Sequence, residues 1–264
     1  MIDADPDRGA PGGGRRALRD ATIAFAATLV LVAALLRIDV TLPAIGHLGS
    51  ALVALLFLYA PVFFAWRRHE TLDDYGFHAA PVKDGAVTAA IAMAVAFPIF
   101  VAAYFAFYEV ACHSHVLAHF VPPGMCMRYG GLAALHGPAL SLFAPDPHAA
   151  HQTLSLEWCA VEVIVVALPE ELFFRGFLLR LLEQRFPPKR RWKGGGIGLA
   201  LVLSALAFAL VHLPKDGDPR ALATFFPGLL FGWMRSRTGS ILASTATHAS
   251  ANILIRTIEL CVQR

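Results

Sequence analysis

Charge is what this sequence has least of. Asp, Glu, Lys and Arg together make up 16% of the 264 residues, against about 25% in a soluble domain. The deficit excludes an ordinary water-soluble fold, because too few charged side chains are present to solvate a globular surface. No excess of one charge sign is present either: 22 basic and 19 acidic residues leave a net charge of +3. That balance excludes a nucleic-acid-binding surface and leaves the basic residues to set membrane topology. Cysteine is scarce, at four residues, and two of them, Cys159 and Cys261, fall in apolar spans as packing residues. No repeat of fixed period and no soluble nucleotide-binding motif is found. The zinc-protease pattern HExxH is missing too: the nearest approach, His69-Glu70-Thr71-Leu72-Asp73, lacks the second histidine. The first apolar run has no small-residue cleavage site and is long enough to span, so a signal peptide is not expected.

What the chain has instead is hydrophobicity. Apolar residues make up 57% of it, and the mean hydropathy is +0.59. Apolar runs near 20 residues predict an all-α, polytopic transmembrane bundle of about seven to eight spans. Seven are drawn at 20–36, 48–66, 86–108, 156–183, 197–213, 221–234 and 241–260. Residues 1–20 read as a disordered cytoplasmic tail, and 21–264 as a single membrane-embedded domain with membrane lipid around it. Basic residues alternate between the connections. Arg8, Arg15, Arg16 and Arg19 precede the first span; Arg67, Arg68 and Lys83 follow the second; Arg185, Lys189, Arg190, Arg191 and Lys193 follow the fourth. The intervening loops carry Arg37 and Arg128 alone. Positive-inside reasoning then places the N-terminus in the cytoplasm and loop 109–155 outside. That loop holds Cys112 and Cys126, which form either a disulfide in an oxidising compartment or two free thiols. It also holds six of the 11 histidines, His113, His115, His119, His136, His148 and His151. His115 and His119 have the i, i+4 spacing of a shared metal site, but no carboxylate or cysteine framework completes one.

The fourth span contains Leu168-Pro169-Glu170-Glu171-Leu172-Phe173-Phe174-Arg175-Gly176. Charge inside an apolar span is costly and marks a functional site by default. Adjacent helical residues point about 100° apart, so Glu170 and Glu171 take different faces. Glu171 and Arg175 are i, i+4 and can pair. Glu170 is then the working acid or base. Pro169 deprives the Val165 carbonyl of its donor and is expected to disturb the helix just before the glutamates. Phe208 and His212 in the fifth span, and His248 and Asn252 in the seventh, repeat the i, i+4 spacing. Counted at 1.5 Å per residue from the cytoplasmic ends, Glu170, His212 and Asn252 lie roughly 15–22 Å deep and His248 about 10 Å. Gly228 and Gly232 form a GxxxG for close helix approach, and Gly194-Gly195-Gly196 reads as a flexible turn.

Glu170-Glu171-x-x-x-Arg175, Phe208-x-x-x-His212 and His248-x-x-x-Asn252, in that order, resemble the three motifs of the CPBP family. These are the CAAX-protease and bacteriocin-processing (Abi) intramembrane glutamic endopeptidases. Phe225 to Gly232, Thr238-Gly239-Ser240-Ile241 and Asp74-Tyr75-Gly76-Phe77 are similar to that family as well. The resemblance covers core motifs over 155–255 and leaves the histidine-rich loop unassigned. It implies that Glu170 activates a water and that His212 positions it. His248 and Asn252 would stabilise the oxyanion, and Glu171 and Arg175 would support the site. It implies no metal and no cofactor. The substrate would be a membrane-associated protein or peptide: a prenylated CAAX protein, a peptide precursor or a C-terminal sorting segment. An Ala-, Gly- and Arg-rich composition points to a GC-rich bacterial genome, hence to the inner membrane and to a sorting role like that of myxosortase-type members. Three other readings stay open on sequence alone. They are a non-catalytic immunity or scaffold protein of the same fold, a transporter with Glu170 as proton relay, and a zinc site made by the histidines and a glutamate.

Overall fold

The computed structural model describes residues 13–42, 46–114, 121, 123–132, 135–142 and 153–262. His115, His119, His148 and His151 lie outside the described residues, as do 1–12 of the expected tail. The fold is all-α. Its helices are α1 (Gly13–Leu35), α2 (Leu48–Arg68), α3 (Val82–His113), the short α4 (Pro123–Arg128), α5 (a continuous helical run over 156–185), α6 (Leu199–Asp216), α7 (Phe225–Thr238) and α8 (Leu242–Val262). Each of the seven drawn spans coincides with one of these helices. Residues 13–20, expected as part of the tail, are the first two turns of α1, because Ala17 and Ala21 continue its buried stripe through Ala24, Thr28 and Val32.

Among the described residues, three helices are long and apolar enough to cross a membrane: α1, α2 and α3, with Leu199–Pro214 as a shorter apolar helix. On α3, Val87, Ile91, Val95 and Ile99 form an exposed stripe at four-residue spacing, which suits lipid. At 14 residues, α7 rises about 21 Å, less than the hydrocarbon thickness of roughly 30 Å.

The Cα positions divide into two compact units: 1–89 with 164–248, and 90–163 with 249–264. In the first, the core is an aromatic ladder. Phe57 of α2 meets Phe173 and Phe174 of α5 at 5.3 and 5.4 Å, and Phe64 meets Phe177 at 4.9 Å. Phe57, Pro61 and Ala65, one turn apart, make the buried face of α2. The 3-10 turn Asp73–Tyr75 ties helices together at one end of the unit. Arg180 of α5 donates to the Asp74 carbonyl at 2.6 Å and to Glu70 Oε1 at 3.2 Å. The Gly76 carbonyl receives the Ile241 N–H at 2.9 Å, and Ser240 Oγ donates to His78 O at 2.6 Å. Gly176 is required here, since a Cβ would stand 2.8 Å from the Tyr75 carbonyl. The Asp74-Tyr75-Gly76-Phe77 segment thus sets where α8 begins relative to α5.

Gly194-Gly195-Gly196 is a turn only in part: Gly194 lies in the turn, with φ +89°, while Gly195 and Gly196 belong to a strand. Arg190–Trp192 and Gly195–Ile197 pair as an antiparallel hairpin. It docks on α7 through Trp233 Nε1 donating to Trp192 O at 2.9 Å and Gly196 N donating to Ser236 Oγ at 2.9 Å. Gly228 packs against Ala205, where an added Cβ would approach the backbone to 3.2 Å.

In the second unit, Cys112 and Cys126 are joined as a disulfide with Cα atoms 5.4 Å apart, while Cys159 and Cys261 are free. Tyr129 donates to Glu109 Oε1 at 2.7 Å, and Gly130 N donates to the Val262 carbonyl. These bonds tie residues 129 and 130 to α3 and to the end of α8.

Candidate active site

The glutamates lie between two π-helical stretches of α5, Glu162–Ala167 and Leu172–Leu178. The disturbance expected from Pro169 takes this form. A switch to i→i+5 bonding relieves the ladder where an N–H is missing, and such stretches recur at functional sites. The second stretch is stabilised from α6. The Phe174 carbonyl receives the Leu179 N–H five residues on and also the Ser204 hydroxyl at 2.9 Å.

Glu171 is fully buried and Arg175 is 1% exposed. Arg175 Nη1 stands 3.0 Å from Glu171 Oε1, an ion pair not aligned as a hydrogen bond. The guanidinium lies over the Phe208 ring at 4.0 Å and near Phe231 at 5.2 Å. Aromatic faces therefore supply part of what water would have given the cation.

His248 of α8 joins the two glutamates. Its Nδ1 is 3.0 Å from Glu171 Oε1, and its Nε2 is 3.8 Å from Glu170 Oε2. A carboxylate only accepts, so Nδ1 carries a proton. Phe231 stacks on the imidazole at 5.1 Å and Phe208 meets it edge-on at 5.6 Å. Depth counting set His248 well short of Glu170. The structure nonetheless brings the two side chains together, His248 from α8 and Glu170 from α5.

His212 Nδ1 donates to the Phe208 carbonyl one turn back at 2.7 Å, which fixes the orientation of the ring. The His212 ring packs on Phe208 at 4.7 Å. Phe208 therefore contacts His212, His248 and Arg175 at once, and the first unit holds Glu170, Glu171, Arg175, His212 and His248, all buried.

Asn252 belongs to the second unit. Its Nδ2 donates to Glu162 Oε2 at 2.9 Å. Glu162 is a residue that spacing alone did not single out. The available signal was plain: it is the one acidic residue among the apolar positions 158–169.

Among the described residues, no group of three or more His, Cys, Asp or Glu is placed to hold a metal ion. Outside the spans, burial pushes the Tyr75 hydroxyl up, and its bond to Glu70 Oε2 at 2.7 Å adds to the rise. Asp218, which caps the turn Pro219–Thr224, is held below the usual carboxylate range by side-chain and backbone hydrogen bonds from Arg220.

A buried acid, a histidine braced by a second acid, and an arginine that neutralises that second acid can take up and return a proton away from bulk water. No curated protein and no solved structure matches the chain. Residues 152–254 match the model of the family described as Rce1-like, the type II CAAX prenyl endopeptidases. The match takes in Glu170, Glu171, Arg175, His212, His248 and Asn252. Residues 152–254 are therefore an Rce1-like domain of the CPBP family, whose members are CAAX-type intramembrane endopeptidases.

Proposed function

We propose that this protein is a metal-independent glutamic endopeptidase that cleaves a peptide bond in a membrane-associated protein or peptide. Glu170 takes a proton from water, and the resulting hydroxide attacks the scissile carbonyl carbon. The proton then passes from Glu170 to the leaving amine. His212 holds the water. His248 and Asn252, one turn apart on α8, donate to the oxyanion, where each donor contributes most as charge develops. Glu171 and Arg175 hold the His248 ring. The observation that carries this reading is the placement of His248 between Glu171 at 3.0 Å and Glu170 at 3.8 Å. It gives one imidazole a fixed Nδ1 partner and turns its other nitrogen toward the candidate base.

The substrate segment is a prenylated CAAX terminus or a C-terminal anchor released during protein sorting. Membrane lipid is its medium, the bacterial inner membrane its setting, and the N-terminus is cytoplasmic. The Cys112–Cys126 disulfide supports that orientation, because a disulfide persists on the oxidising side. Membranes bearing the wild type or Glu170→Gln, supplied with a quenched fluorescent prenylated CAAX peptide and with C-terminal anchor segments, test the reading. Wild-type membranes are expected to cleave one of the two and Glu170→Gln membranes neither, at equal protein level. Unchanged cleavage by Glu170→Gln would refute the mechanism. Activity that falls with a chelator would refute metal independence.

A further inference from the structure

Glu162 stands in the first π-helical stretch of α5, among residues that face outward. Val161, Val163, Ile164 and Val165 are 41%, 39%, 62% and 40% exposed. An apolar residue at 162 would continue that run at no electrostatic cost, whereas a carboxylate there needs a partner. Its partner is the Asn252 amide, at 2.9 Å, and both residues are half-buried.

The chemistry of this pair is directional. A carboxylate only accepts, so the amide must turn its NH2 edge toward Glu162. The usual ambiguity between the oxygen and nitrogen of an asparagine is thereby removed. Without such an anchor, the last torsion of asparagine is broad and roughly two-fold. Half of its orientations would offer Oδ1, an acceptor, to a developing negative charge. With the anchor, one N–H is committed to Glu162 and the other N–H of the same nitrogen is held in the amide plane as a donor.

We infer that Glu162 is a positioning residue that fixes the Asn252 amide with its second N–H available to the oxyanion. The inference rests on the endopeptidase reading above. Glu162 acts through Asn252 and does not touch the reacting atoms.

Cleavage of the quenched prenylated CAAX peptide by reconstituted full-length protein, with kcat and KM measured separately, provides the test. Asn252→Ala is expected to lower kcat by about 10²–10³-fold, the loss typical of one oxyanion donor. Glu162→Leu is expected to lower kcat by about tenfold with KM unchanged, and to add less than about twofold in the Asn252→Ala background, because residues acting as a unit are not additive. Glu162→Gln keeps an acceptor at the same reach and is expected to retain most activity. Glu162→Asp keeps the charge but shortens the reach by one methylene, and is expected to resemble Glu162→Leu. If Glu162→Leu does not fold, the order of Gln above Asp decides, since a purely electrostatic role demands the reverse. Full kcat in Glu162→Leu, an undiminished loss on top of Asn252→Ala, or Asp above Gln overturns the inference alone. No cleavage by the wild type, or full kcat in Asn252→Ala, overturns the endopeptidase reading as well.

Discussion

Removing the Arg175 guanidinium isolates the energetics of the buried charge cluster. Arg175→Met keeps length and apolar contact while deleting the cation. It leaves Glu171, which is fully buried, without its 3.0 Å counter-charge. Breaking a buried pair from one side costs about 3–5 kcal/mol, because a charge stays behind without compensation. The stacking on Phe208, at 4.0 Å, adds on the order of 1–2 kcal/mol to the loss. The remaining Nδ1–H of His248 moderates it. A net loss of about 4 kcal/mol corresponds to a fall of on the order of 10 °C in unfolding midpoint for a chain of this size. The double variant Glu171→Gln/Arg175→Met removes both charges, and the Gln oxygen still accepts from His248. Replacing both partners of a buried pair is far cheaper than removing one, so the double variant should melt well above Arg175→Met. The assay is the fraction of monodisperse protein in detergent after heating. Equal midpoints for the single and double variants, or an unchanged midpoint for Arg175→Met, would refute the proposed origin of the stability.

Two further outcomes are expected. Cys112 and Cys126 should resist a membrane-impermeant maleimide until a reductant is added, then label from the extracytoplasmic side; labelling before reduction would exclude the disulfide in the membrane. The Tyr75 hydroxyl is held above its usual value of 10.0, first by burial and then by Glu70. A raised folded-state pKa favours the protonated fold. Its contribution is therefore complete below pH 10 and is lost as the pH rises toward the folded value. The wild type should lose melting temperature above pH 10 more steeply than Tyr75→Phe, as measured across pH 8–12; parallel profiles would contradict the placement of Tyr75 against Glu70.

The sequence alone determined the features that depend on neighbours along the chain. Apolar runs located every drawn helix, since a span needs apolar residues throughout its length. The i, i+4 rule located the Glu171–Arg175 pair, because helix geometry brings those two positions together whatever surrounds them. Pro169 marked where the backbone ladder changes register. Tertiary structure decided the rest. His248 meets Glu171 across 77 positions and Asn252 meets Glu162 across 90, and no local period encodes a distance of that kind. The turn at Asp74-Tyr75-Gly76-Phe77 sets the start of α8 through the Gly76 carbonyl, which accepts the Ile241 N–H. A count of residues along each span could not show that His248 and Glu170 meet, because their 3.8 Å approach depends on how α8 packs on α5. The glycine hairpin is ordered for the same reason: Trp233 and Ser236, some forty positions later, hold it. Local periodicity placed charge inside the membrane; the packing of α8 against α5 gave the buried glutamates a histidine and so turned a costly ion pair into a candidate catalytic site.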